Sequence, residues 1–157
     1  MTPTIQFYHL LSTTRERAVP KLMEKVIKSG SRAVMLTGSD ALLKTMSDAL
    51  WTNDPASFLP HGSARDGHAA EQPVYLALVE ENPNGADVLC VLDGSLPASA
   101  GSYGKLLDVF DGSNEADVAA ARTRWMHYKN LGFALHYIKQ QPGGGWKVEM
   151  TSEAAAE

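Results

Sequence analysis

Ala33-Val-Met-Leu-Thr-Gly-Ser-Asp-Ala-Leu-Leu-Lys-Thr-Met-Ser-Asp-Ala-Leu50 holds one complete strand-to-helix unit. Ala33 to Leu36 is apolar at every position and too short for a helix, which fits a strand buried on both faces. Gly38-Ser39-Asp40 turns the chain, and Ser39 or Asp40 can accept a hydrogen bond from the first free amides of a helix. Leu42, Leu43, Met46 and Leu50 then recur at helical spacing and give that helix one apolar face.

The same alternation runs outward in both directions. Ile5 to Leu11 reads as a first strand, and Thr13 or Thr14 can cap a helix after it. In that helix Ala18, Leu22 and Val26 lie beside Val19, Met23 and Ile27, Pro20 predicts a kink or a late start, and Gly30 a stop. Downstream, Val74–Val79 and Val88–Leu92 are two more strands, separated by the turn Asn82-Pro-Asn-Gly85. Residues 95–105 fit no pattern. Leu106–Phe110 is a further strand closed by Asp111-Gly112. Ser113 or Asn114 caps a long helix with Glu115 and Asp117 in its first turn, where acids are favoured. Val118, Ala121, Trp125 and Tyr128 form its buried stripe, and Gly132 ends it. Phe133–Ile138 is a last strand; Pro142 to Gly145 turns toward Trp146–Val148. Strands alternating with helices predict an α/β fold, three-layer α/β/α with a mainly parallel central sheet, Rossmann-like without a phosphate loop. Residues 1–150 form one domain and 151–157 a frayed tail.

Trp51 to Gly62 stands apart. Pro55 and Pro60 exclude regular structure, yet Trp51, Phe58 and Leu59 need apolar surroundings, under the loop itself or in a partner. The segment 61–72 that follows is polar and reads as mobile.

The chain has 157 residues, 44% hydrophobic and 20% charged, with a formal charge of −4. That balance argues against broad binding to a phosphate backbone, which needs concentrated Lys and Arg. The single Cys90 excludes an internal disulfide and reads as a buried, inert thiol. No apolar run approaches the roughly 20 residues a membrane span needs, and no signal-peptide pattern opens the chain. The expected location is the cytoplasm.

Chemistry is sparse. Neither G-x-G-x-x-G nor G-x-x-x-x-G-K-[ST] follows the first strand. Gly38-Ser39 reads as an ordinary turn and cap ahead of an anion site. His61, Asp66 and His68 share a loop but match no zinc spacing. There is no nucleophile elbow, and Cys90 lies mid-strand. Asp87 and Asp93 flank one strand at opposite ends and cannot act as a pair. No catalytic set, cofactor site or metal site emerges. The last helix is richer: Arg122, Arg124, His127 and Lys129 cluster in an acidic chain. Arg122 and Lys129 share a face with Met126 between them, and Trp125 lies at its edge. Such a face is either solvated or a pocket in which arginine grips a carboxylate while apolar neighbours hold the adjoining side chain.

Phe7-Tyr8, Leu50-Trp51 with Ser57-Phe-Leu-Pro-His-Gly62, Ala86-Asp-Val-Leu89, and Arg122-x-Arg-Trp-x-x-Tyr128 leading to Gly132-Phe133 resemble the chi subunit of bacterial DNA polymerase III, over residues 5–148 and in the same order. The resemblance implies a non-catalytic accessory subunit of the clamp-loader complex, without cofactor, that grips the acidic C-terminal tail of single-stranded-DNA-binding protein, which ends in Pro-Phe. It implies a tail site at Arg122, Arg124, Trp125, Met126, Lys129 and Phe110, with Arg122 on the terminal carboxylate. It places a psi subunit, the link to the clamp loader, on Trp51, Phe58, Leu59, Pro60 and His61. Weak or no direct DNA binding is expected, and no membrane contact. Met126 stands where the best-known chi is basic, and 63–72, 82–85 and the C-terminal extension also depart from the family. The rival expectation is a small α/β enzyme or nucleotide-binding protein with its site in the 60–68 loop.

Overall fold

A computed structural model describes residues 3–52, 61–63, 67–143 and 145–153. Eight strands form one sheet: β1 (Thr4–Leu10), β2 (Ala33–Leu36), β3 (His61–Ser63), β4 (Val74–Ala77), β5 (Val88–Val91), β6 (Lys105–Asp111), β7 (Ala134–Gln140) and β8 (Trp146–Ser152). Their order across the sheet is β3-β4-β2-β5-β6-β1-β7-β8, and every neighbouring pair is parallel except β7 with β8. The helices are α1 (Arg15–Lys28), α2 (Asp40–Thr52) and α3 (Glu115–Asn130). One core layer packs Val19, Met23 and Met46 of α1 and α2 against Met35, Cys90 and Leu107. The other packs Ala121, Trp125 and Tyr128 of α3 against Ile5, Phe7, Leu106 and Leu135. This is the expected α/β/α sandwich. No helix among the described residues is long and apolar enough to cross a membrane.

Local chemistry sets most boundaries. Ser39 Oγ accepts from the Leu42 amide at 3.2 Å, which caps α2. Asn114 Oδ1 does the same for Asp117 at 3.1 Å and starts α3. The last helix stops where Gly132 turns left-handed at φ +84°, a conformation that costs glycine little. α1 begins at Arg15 and runs through Pro20, so there is no late start. Cys90 is fully buried, and burial pushes its thiol up to about 12, well away from reactivity.

Several expectations shift. Trp51 belongs to the last turn of α2 and not to the loop. His61-Gly-Ser63, read as polar loop, is a short edge strand paired parallel with β4; such a strand is held by backbone bonds and needs no apolar pattern. β4 ends at Ala77, leaving Val79 exposed. The patternless 95–105 contains a short 3-10 turn at Ala98–Ser102. β8 runs to Ser152, two residues into the segment expected to fray.

Two sets of buried polar contacts fix how the elements meet. Asp108, in mid-β6, is 1% exposed, and Arg124 on α3 is 6% exposed. Arg124 Nε and Nη2 donate to the two Asp108 carboxylate oxygens at 2.7 and 2.9 Å. Burial pushes the Asp108 carboxyl upward, and the guanidinium forked onto it is what opposes that. The second set closes the loop after β1. α1 leaves β1 on one face and α3 leaves β6 on the other, so the chain winds away in opposite directions from these two parallel neighbours, the kind of switch point where related folds bind ligands. A crevice of about 700 Å³ opens there, lined by residues 10–17, 92–94, 109–111 and Arg124 among others. Gln140, 3% exposed at the end of β7, occupies the amide cradle beside it. Its Oε1 accepts from the Leu11, Ser12 and Thr13 amides at 2.9, 2.9 and 3.1 Å. Its Nε2 donates to Thr13 Oγ1 at 2.8 Å.

Arg124→Met strands a buried carboxylate and should cost about 3–5 kcal/mol in urea denaturation. Adding Asp108→Leu should recover most of that loss; a double variant as unstable as the single one would show that the pair is not what holds α3. Gln140→Leu leaves three amides without an acceptor, at roughly 1–3 kcal/mol for each group that water cannot reach. Hydrogen exchange should then lose protection at Leu11, Ser12 and Thr13 while the β1 ladder stays protected. Unchanged exchange at those three amides would refute the role given to Gln140.

Candidate protein-interaction surface

Successive helical residues are about 100° apart, so Arg122 and Arg124 leave α3 in nearly opposite directions. Arg124 points to β6 and is committed to Asp108. The structure therefore separates it from the expected cationic face. Arg122, Met126 and Lys129 occupy the other flank, and all three are exposed, Met126 at 50%.

Between the flanks lies an aromatic floor. Trp125, 8% exposed, packs its ring 5.7 Å from Phe7 and 6.0 Å from Tyr137. Phe110 lies 6.1 Å from Tyr137 and 5.3 Å from His9. Tilted and edge-on contacts at these separations suit the ring quadrupoles. His9 Nδ1 is 2.6 Å from the Tyr137 hydroxyl, and Gly112 leaves room for the imidazole that a Cβ would block. Burial, then the Lys139 charge, pushes the His9 imidazole below its ordinary value; Asp111 opposes this, and Arg122 adds to it. Arg122 also lowers Tyr137 against the upward push of burial. The guanidinium of Arg122 thus acts directly on this floor. Arg122 is exposed on the same flank as Met126, and a guanidinium beside apolar surface is the chemistry that holds an apolar side chain and an adjoining carboxylate together.

Of the predicted residues, the fold brings Phe110, Trp125, Arg122, Met126 and Lys129 onto one side of α3. Sequence reasoning missed His9 and Tyr137, which arrive from strands far apart in the chain. It also missed Asp108, although a lone carboxylate inside Leu-Leu-Asp-Val-Phe is the usual mark of a buried charged partner.

The second predicted group lies at the other edge of the sheet. Trp51 is 61% exposed, and its ring stands 5.2 Å from His61 on β3. Phe58, Leu59 and Pro60 fall outside the described residues, as does Asp66 of the rival 60–68 site. His68 faces Glu71 at 3.4 Å with both side chains in solvent.

Comparison with known proteins places the chain in a family. The family described as "DNA polymerase III chi subunit, HolC" matches residues 1–136. The "Probable DNA polymerase III subunit chi" of Rickettsia prowazekii (strain Madrid E) is 34% identical over 85 residues, 54% of this chain. The match spans about half of that relative's length, 52%. With a match covering most of its length and the α/β/α sheet described above, the chain belongs to the DNA polymerase III chi subunit family.

Proposed function

We propose that this chain is a non-catalytic accessory subunit of the DNA polymerase III clamp-loader complex and that its α3 surface receives the acidic C-terminal tail of single-stranded-DNA-binding protein. The observation that carries this reading is Arg122, exposed beside the Trp125–Tyr137–Phe110 floor with Met126 at its rim. A peptide ending in Pro-Phe presents the complementary groups, a ring for the floor and rim and a carboxylate for the guanidinium. Lys129 extends the cationic flank. Arg124 supports the surface from behind by fixing the rotation of α3. The exposed Trp51 beside His61 supports a second docking surface, suited to a psi-type subunit that links the chain to the clamp loader. Family membership and the formal charge of −4 favour protein partners over direct DNA binding, and support a cytoplasmic place of action.

Calorimetric titration with a short acidic peptide ending in Pro-Phe tests the tail site. Binding should be saturable, weaken with salt, and vanish when the terminal Phe is removed. A charge-assisted hydrogen bond contributes roughly 1.5–3 kcal/mol, so Arg122→Ala should weaken binding at least several-fold while circular dichroism stays unchanged. Equal affinity in the folded variant would reject the Arg122 assignment. Trp51→Ala should keep the tail affinity and reduce co-purification with clamp-loader subunits. Loss of tail affinity in that variant would place both partners on one surface.

A further inference from the structure

Lys139 on β7 and Lys147 on β8 are direct cross-strand partners in an antiparallel ladder. Like charges placed opposite each other repel, and among the described residues neither lysine forms an ion pair. Side chains two apart on a strand share a face, so Lys139 stands on the Tyr137 side of the sheet, beneath the same flank as Arg122. Register puts Lys147 beside it. Lys139 is the register partner of His9 on β1, and its charge acts on His9 together with that of Arg122. The carboxylate that reaches this cluster, Asp111, is engaged by the Ser113 amide and hydroxyl at 2.9 and 2.6 Å. On β8, Glu149 is the extra residue at a register shift and pairs across to no residue of β7. Met150, opposite Tyr137, is exposed and extends the apolar strip toward the sheet edge. An apolar strip flanked by three cations, Arg122, Lys139 and Lys147, against the nearby carboxylates of Asp111 and Glu149, suits an extended acidic segment.

Resting on the tail-receptor reading, we propose that Lys139 and Lys147 form a second anchor of the same groove, taking the carboxylates that precede the terminal Phe. The bound segment then has a fixed direction: its carboxy-terminal end lies at Arg122 on α3, and its preceding acidic residues cross β7 onto the edge strand β8. The strand pair carries a repulsive contact that an acidic ligand relieves.

The test uses the full chain and two peptides ending in Pro-Phe, one with upstream Asp residues and one with those residues changed to Asn. Lys147→Glu turns the like-charged cross-strand pair into an opposite one, so it should raise the melting temperature while weakening the acidic peptide. Lys139→Glu with Lys147→Glu should weaken the acidic peptide at least about tenfold, since two exposed attractive pairs become repulsive. The Asn peptide should change less than about twofold in either variant, and on the unaltered chain its binding should depend less on salt than that of the acidic peptide. Equal weakening of both peptides, or no change with the acidic one, overturns the second anchor while leaving the Arg122 pocket standing. If neither peptide binds the unaltered chain, the tail-receptor reading fails, and this inference fails with it.

Discussion

A carboxylate buried in the middle of a parallel strand can be tolerated only if something ionic meets it. Asp108 imposes that condition on α3, and Arg124 satisfies it with a two-pronged bond. An apolar stripe allows a helix to roll by some tens of degrees over a sheet, because dispersion contacts have little directional preference. A fork of two hydrogen bonds does not allow it. With Arg124 fixed toward β6, Arg122 has to emerge on the β7 side, and Trp125 has to lie between them on Phe7 and Tyr137. The surface that the proposed tail would meet is therefore set by an interaction on the far side of the same helix.

Much of this was legible in the chain itself. Ala33–Leu36 reads as a strand because nothing in it is polar, and the Ser39 and Asn114 caps mark their helices where the hydroxyl and amide oxygens later accept amide bonds. The stripe Ala121, Trp125, Tyr128 is buried as its spacing predicts. Other features lay beyond any local pattern. His61–Ser63 is a strand through pairing alone. Trp51 stays helical because nothing breaks the helix before residue 53. Arg124 looked like one of four cations on a polar face, since the charge that draws it inward lies sixteen residues earlier in another element. His9 and Tyr137 join Phe110 because β1 is paired on one side with β6 and on the other with β7. Linear sequence gives no sign of that sandwiching.

The sheet order also separates the two surfaces. β3, next to Trp51, is one edge, and β8 is the other, with six strands between them. Across seven spacings of about 4.8 Å this is roughly 34 Å. Partners gripping the two edges would not compete for space, and a rigid, buried sheet would hold them at a constant separation.

Gln140 has a consequence for the order in which the molecule assembles. Its oxygen closes a loop whose amides lie 127 to 129 residues earlier, and β1 itself finds its neighbours only in β6 and β7. β1 is thus flanked by strands made a hundred or so residues later. Until they arrive, β1 has two bare edges, and the turn into α1 has no acceptor for its amides. Such long-range closure is slow to nucleate and exposes the nascent chain to mispairing. β1 and the turn into α1 gain their final shape only when β7, the last parallel strand, has paired.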